Sequence, residues 1–276
     1  RNNILDITAL YLACGVDLES TTLFMQSDVL EHCNLGFLMS FQCSVGELSR
    51  MTQFKSKKAE LSKTEKDMGL FIYPTLMAAD ILLYDAEIVP VGADQRQHIE
   101  KTRDLGERFN KVYGNTFKLP EYQIPEIGAK IMNLQNPSIK MSKSAPKEDK
   151  GTIFILDAIE KTKKKIMSAC TDNEGKVYFD EENKPGISNL LSIVAVIDNL
   201  TIEEVDKKYH NYNYKDFKIE VADKVASFIK SIQEKFYEFR NDEDYLKKVL
   251  ENGAIKARKI SQPKMIEVKE KVGLKL

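Results

Sequence analysis

Ile88-Val89-Pro90-Val91-Gly92-Ala93-Asp94-Gln95 is an apolar run that ends at a glycine and passes into a helix-capping aspartate. Ile88–Val91 reads as a short strand, Gly92 as its break, and Asp94 as the N-cap of a helix running to about Val112. This order places free backbone N–H groups at the strand's carboxyl end, the edge at which open α/β sheets bind ligands. A glycine there admits a sugar or phosphate closely. Taken alone the signal is weak, because most strand–turn–helix junctions bind nothing.

Upstream, Leu5–Leu12 has helical periodicity and closes near Cys14–Gly15, with Gly15 as C-cap. Thr21–Gln26 reads as a short buried strand, and Ser27–Asp28 as a helix start. Residues 30–50 read as one long apolar helix, and 52–68 as a polar, Lys-rich solvated loop. Pro74 opens a further apolar helix through Tyr84. Downstream, the turn-rich 114–146 segment holds strand-like Lys130–Leu134. The alternation of strands and helices predicts an α/β fold with a Rossmann-type parallel sheet over 1–150. Periodic helices dominate 151–276 and predict a helical C-terminal domain.

The 276 residues carry 41 Lys+Arg against 42 Asp+Glu, a net charge of −1, which excludes a polycationic nucleic-acid binder but leaves room for a local basic face. With 42% hydrophobic and 30% charged residues but only 13 Gly and 8 Pro, the chain is folded and rich in helix formers. Cys14, Cys33, Cys43 and Cys170 are scattered, without a CxxC pair or a histidine at ligand spacing, so reduced thiols and no metal site are expected. The longest apolar run, Leu190–Ile197, is interrupted by Ser192 and falls far short of the ~20 residues of a membrane span. A protein without membrane partners, located in the cytoplasm or in an organelle, is expected.

Two further places attract attention. Asp80 lies within Leu76-Met77-Ala78-Ala79-Asp80-Ile81-Leu82-Leu83-Tyr84. A carboxylate among apolar neighbours suits a ligand with one N–H donor on an apolar body, such as an indole; a surface aspartate paired with a Lys or Arg is the competing reading. Lys140-Met141-Ser142-Lys143-Ser144 places two ammonium groups and two hydroxyls before Pro146. Such a loop can follow charge developing on a leaving pyrophosphate, although its composition equally describes a plain exposed loop.

The string KMSKS at 140–144 is a signature of class I aminoacyl-tRNA synthetases. With GADQ at 92–95, LMAADILLY at 76–84, ELSRMTQFK at 47–55 and KPGISNLL at 184–191, nearly the whole chain resembles the bacterial-type tryptophanyl-tRNA synthetases. The resemblance implies that Asp80 accepts the indole N–H, with Met77, Ile81 and Val91 forming part of the apolar pocket. It implies ATP contacts at Gly92, Ala93, Asp94 and Gln95, at the Ile131 backbone, and along the mobile loop of Lys140, Met141, Ser142, Lys143 and Ser144. Lys57 (or Lys55) would be a further phosphate contact, and Lys140, Lys143 and Lys57 would supply the catalytic charge. The implied reaction has two steps: L-tryptophan attacks ATP–Mg²⁺ to form an adenylate, and the acyl group then passes to tRNA(Trp).

The helical part resembles the family's anticodon-binding domain. Its tail at 256–276 carries seven Lys/Arg against two Glu, an imbalance suited to RNA phosphates, although each single lysine reads equally well as part of a solvated helix face. A homodimer is implied, with apolar 33–48 able to serve its interface or an internal core. The chain departs from the family at Ala93, where Glu is usual, and at Ala145, where Asp is usual. The HIGH-like signature is absent, so an upstream segment holding the first Rossmann strand is expected, and 1–276 alone is expected not to be fully competent. Two rivals follow: a tyrosine-specific synthetase, and a non-catalytic RNA-binding fragment.

Overall fold

A computed structural model describes residues 1–60, 68–124, 131–142 and 145–275. In chain order the elements are α1 (Asn2–Ala13), α2 (Glu31–Ser40), α3 (Val45–Ser49), α4 (Thr52–Glu60), α5 (Met68–Leu82), β1 (Ile88–Pro90), α6 (Arg96–Tyr113), β2 (Glu121–Gln123), α7 (Ile159–Met167), α8 (Pro185–Asp198), α9 (Ile202–Tyr209), α10 (Tyr214–Arg240) and α11 (Glu243–Lys271). They form two compact units, one of Arg1–Asp17 with Glu126–Leu246 and the other of Leu18–Pro125 with Lys247–Leu276.

The second unit holds the sheet. β1 and β2 are parallel, in the register Ile88↔Glu121, Val89↔Tyr122 and Pro90↔Gln123. Helix α6 makes the crossover between them, as parallel pairing requires. α2 lies on α5, and a Cβ at Gly36 would stand 3.2 Å from the Leu76 Cα, so only glycine permits this approach without displacement. The core beneath joins Leu35 and Met39 to Ala78, Leu82, Leu105 and Phe109, and Met265 and Val268 of α11 complete it.

In the first unit, α10 packs on α1, α7 and α8. The inner stretch Ile187–Ala195 of α8 is buried almost throughout. Arg240, near the end of α10, holds Asp6 of α1 at 2.6 Å.

Several sequence expectations need correction. Thr21–Gln26 is not a strand among the described residues: Met25 is extended, but no neighbouring chain pairs with the segment, and the Leu23 carbonyl instead abuts the bare Cα of Gly253 on α11. Residues 30–50 form two helices, because Ser44 and Glu47 build a reciprocal capping box that starts α3 afresh. The supposed loop after Met51 is helical as far as Glu60, while 61–67 lies outside the described residues. Pro74 sits inside α5 rather than at its start. An interior proline removes a helical hydrogen bond at a cost of ~3 kcal/mol or more, and here burial of Pro74 itself and of Thr75, Ala78, Ala79, Ile81 and Leu82 after it offsets that cost. Of the strand-like Lys130–Leu134, Lys130 lies outside the described residues, and Ile131–Leu134 pairs not with the sheet but with the segment entering the KMSKS loop. The second strand of the sheet is Glu121–Gln123, too short and polar to stand out by pattern.

Glu47 ties α3 to α6. Arg108 grips both carboxylate oxygens, at 2.5 and 3.0 Å, and Lys101 adds a contact at 3.2 Å. The Arg108 bonds, with the Ser44 amide, hold the Glu47 carboxyl well below the usual range. A carboxyl depressed in the folded state contributes stability above its unfolded pKa and loses it as pH falls toward the folded value. Glu47→Gln should therefore destabilise the protein at pH 7 by about 1.5–3 kcal/mol. In urea unfolding at stepped pH, the gap between variant and wild type should narrow progressively below about pH 4.5.

Candidate functional site

Asp80 emerges from the apolar helix α5 with its side chain 35% exposed. Two donors meet one of its oxygens: Gln26 Nε2 at 2.7 Å and His32 Nδ1 at 2.6 Å, both on Oδ1. The other ring nitrogen, His32 Nε2, lies 2.8 Å from the Tyr84 hydroxyl. A carboxylate only accepts, so Nδ1 carries the imidazole hydrogen and Nε2 accepts from the Tyr84 O–H. Burial first, then the charges of Asp80 and Glu31, push the Tyr84 phenol up to about 12, so it keeps that proton at neutral pH. Phe24, His32 and Tyr84 stack loosely as a ring cluster, with centroids 5.5–6.3 Å apart. Met77, one turn before Asp80, is half-buried, and Ile81 is buried. Gln26, His32 and Tyr84 went unread in the sequence; the signal available was a histidine in helical register with Leu35 and Met39 of the core.

Beyond β1, Val91 is half-buried and its N–H bonds to the Gln123 carbonyl at 2.9 Å. Gly92 then caps a 3-10 turn, Ala93–Gln95, that leads into α6. Asp94 is not a helix cap: its Oδ2 accepts from Gln95 Nε2 at 2.7 Å, and no side chain caps α6. Gly92, Ala93 and Asp94 are exposed, so the first amides of the turn, which cannot bond within it, lie on exposed residues.

In the first unit, Ile131–Leu134 folds back on Ile139–Met141. Met141 N–H donates to the Ile131 carbonyl at 3.0 Å, and Asn133 N–H to that of Ile139 at 2.9 Å. Asn189 of α8 clamps this pair like a third strand. Its Oδ1 accepts from the Met132 N–H at 2.8 Å, and its Nδ2 donates to the Met132 carbonyl at 2.9 Å. Lys140 is exposed, Met141 packs on the core of the unit, and Ser142 is exposed. Lys143, Ser144 and the Lys57 side chain lie outside the described residues.

Other residues of KPGISNLL are also held by the fold. Lys184 is buried, its ammonium shared among Asp172 (2.9 Å), Glu174 (2.8 Å) and the Tyr214 hydroxyl (2.9 Å). Burial alone would push the Asp172 carboxyl up, but hydrogen bonds from Tyr214 and Lys184 bring it down to about 2. Gly186 abuts the Cys170 carbonyl, where any Cβ would collide with backbone, and Ser188 Oγ accepts from the Asp180 N–H at 2.8 Å.

Compared with known proteins, residues 1–230 match the family of class I tRNA synthetases for tryptophan and tyrosine. The chain belongs to the class I tRNA synthetases. A tryptophan–tRNA ligase of Bacillus subtilis is 48% identical over 276 residues, covering 99% of this chain and 82% of the relative. Among solved structures, tryptophanyl-tRNA synthetase from Mycoplasma pneumoniae superposes with a TM-score of 0.87 at 34% identity, covering 98% of this chain and 82% of that one. The Campylobacter jejuni enzyme complexed with ADP and tryptophan gives 0.80 at 37% identity, with the same coverages. The Rossmann-type fold expected from the strand–turn–helix pattern is that of this synthetase family.

Most of the cations in the basic tail are engaged within the protein. Five of its seven cations end on protein acceptors within the second unit. Lys256 reaches the Leu18 carbonyl, Arg258 that of Asp28, Lys264 that of Thr116, Lys271 that of Asn115, and Lys275 the Glu270 carboxylate.

If the Asn189 clamp sets the register of the hairpin before KMSKS, Asn189→Ala should lower stability by about 1–3 kcal/mol, since it leaves the N–H and carbonyl of half-buried Met132 without their side-chain partner. Amide exchange at Met132 and Met141 should accelerate at least tenfold while amides in the middle of α10 stay protected, a pattern readable by NMR.

Proposed function

We propose that this synthetase activates L-tryptophan with ATP and charges tRNA(Trp). In the first step the tryptophan carboxylate attacks the α-phosphorus and pyrophosphate leaves. In the second, a ribose hydroxyl of the tRNA attacks the acyl carbon of the adenylate and AMP leaves. The observation that carries the choice of amino acid is Asp80: a carboxylate on an apolar helix, with one oxygen engaged by two donors and the other accepting from none of the described residues. An indole is a large apolar body with a single N–H donor, and it matches that acceptor. The tryptophan–tRNA ligases at 45–48% identity support the same reading over the tyrosine-specific one.

Met77, Ile81 and Val91 would contribute apolar wall. Gly92–Gln95 would offer backbone amides to ATP, and Ile131 a main-chain contact to adenine. Lys140, with Lys143 and Lys57, would place positive charge on the phosphates, where it counts most as charge moves to the leaving group. Positioning and charge stabilisation suffice for phosphoryl chemistry of this kind, so no side-chain nucleophile is assigned. Mg²⁺ would enter with the ATP phosphates as part of the substrate; among the described residues no group of three His, Cys, Asp or Glu is arranged to hold it. The helical 151–276 segment would meet tRNA. A second copy of the chain would cover Phe37, Phe41 and Val45, which are 66–72% exposed.

The test is tryptophan-dependent ATP–pyrophosphate exchange, run on residues 1–276 and on the product of the complete gene. The complete product should exchange with tryptophan and not with tyrosine; a preference for tyrosine would sink the assignment. Lys140→Ala should lower kcat by about 10²–10³-fold, the scale for one lost transition-state contact. Asp80→Asn should raise KM for tryptophan at least tenfold with little change in KM for ATP.

A further inference from the structure

We infer that His32 is a positioning residue for the choice of amino acid: by holding Asp80 Oδ1 it commits Oδ2 to the ring N–H of the substrate. The inference rests on the reading of Asp80 given under Proposed function.

An aspartate on a helix turns freely about its terminal torsion and can present either oxygen, or neither, to a ligand. Here two donors converge on one oxygen. His32 Nδ1 stands 2.6 Å from Oδ1 and Gln26 Nε2 stands 2.7 Å from it. The imidazole is itself held from behind, with Nε2 at 2.8 Å from the Tyr84 hydroxyl. His32 is 3% exposed, so water does not compete for either nitrogen. The proton order follows from the ends of the chain: Tyr84 O–H donates to Nε2, and Nδ1–H donates to the carboxylate. A histidine whose outer nitrogen is fixed in this way keeps one tautomer and one ring orientation, the arrangement by which a supporting residue sets a ligating one. The plainer role, packing between the Phe24 and Tyr84 rings at 5.8 and 5.5 Å, accounts for an aromatic side chain here but not for both nitrogens being used.

The two roles separate in one measurement. A tethered carboxylate rewards a ring N–H and is wasted on an analogue that lacks it. A free one can turn to water and loses that selectivity. The probe pair is L-tryptophan against 3-(benzothiophen-3-yl)-L-alanine, whose ring sulfur donates nothing, and the readout is the ratio of kcat/KM values in ATP–pyrophosphate exchange by the complete gene product.

His32→Ala should cut the preference for tryptophan about tenfold, the worth of one hydrogen bond to a charged group, while KM for ATP stays put. His32→Asn, whose amide can replace the Nδ1 donor, should restore the ratio to within about threefold, and Tyr84→Phe should lower it about two- to fivefold. Asp80→Asn is the control for the underlying reading. If Asp80→Asn loses the preference but His32→Ala and His32→Asn keep it, or if His32→Ala only lowers both rates equally, the positioning role is wrong and the reading of Asp80 stands. If Asp80→Asn keeps the preference, both are wrong. Should His32→Ala not fold, Tyr84→Phe and Gln26→Ala decide: an unchanged ratio in both overturns the inference.

Discussion

A half-exposed carboxylate on an otherwise apolar helix can take its donors from water or from the fold, and the fold supplies two of them to one oxygen of Asp80. Those contacts tie distant parts of the second unit together. The donors to Asp80 come from residues 48 and 54 positions earlier in the chain, so α2 and the segment before it must lie against α5. Gly36 makes that approach possible, and the turn after α5 supplies Tyr84 to complete the chain of proton donors. Tyr84 and Phe24 then pack on Val29, Ala254 and Ala257, which draws in α11 from the far end of the sequence. The polar group and the apolar packing are therefore one design: the rings that exclude water from His32 also bind the last helix in place.

What the sequence made legible was whatever rests on local grammar. The apolar run into Gly92 produced β1 and the turn after it, and Gly15 and the helical periods closed α1 and α6 within a residue or two. What it hid depends on partners far along the chain. Thr21–Gln26 has strand-forming residues but no strand beside it, and strand propensity describes fit to a neighbouring surface rather than an intrinsic state. Pro74 signals a helix start by local rules, and burial does begin there; the half-exposed turns before it, Met68–Tyr73, continue the helix upstream without a local signal. The capping-box spacing Ser44-Val45-Gly46-Glu47 was present in plain view and would have divided the long helix correctly. At the candidate site, Asp80 was legible as an anomaly of composition. The residues that hold it were not, because a histidine, a glutamine and a tyrosine scattered over nearly sixty positions carry no pattern until the helices meet.

KPGISNLL teaches a related lesson. As a string it marks kinship, and its residues look like surface chemistry. In the fold they are structural: a buried lysine shared among two carboxylates and a phenol, a glycine pressed on a carbonyl, and an amide side chain that stands in for a strand. Removing its carboxylate partners strands the buried Lys184 ammonium, which makes the group costly to alter even though it need not add net stability. The segment thus fixes the geometry of the hairpin that leads into KMSKS.

Each unit is assembled from two pieces of chain that are remote in sequence. The second unit has its sheet and Asp80 by residue 125, but the core that Met265 and Val268 close must wait for the other unit's residues to be made. At about 5–20 residues per second, those ~120 residues take roughly 6–24 s to emerge from a ribosome. For that interval the nascent domain exposes an unsealed apolar groove, and pairs such as Lys256 with Leu18, 238 positions apart, carry a large loop-closure cost. The final helix is therefore a latch as well as a tail, and the period before it closes is when a chaperone would be of most use to this chain.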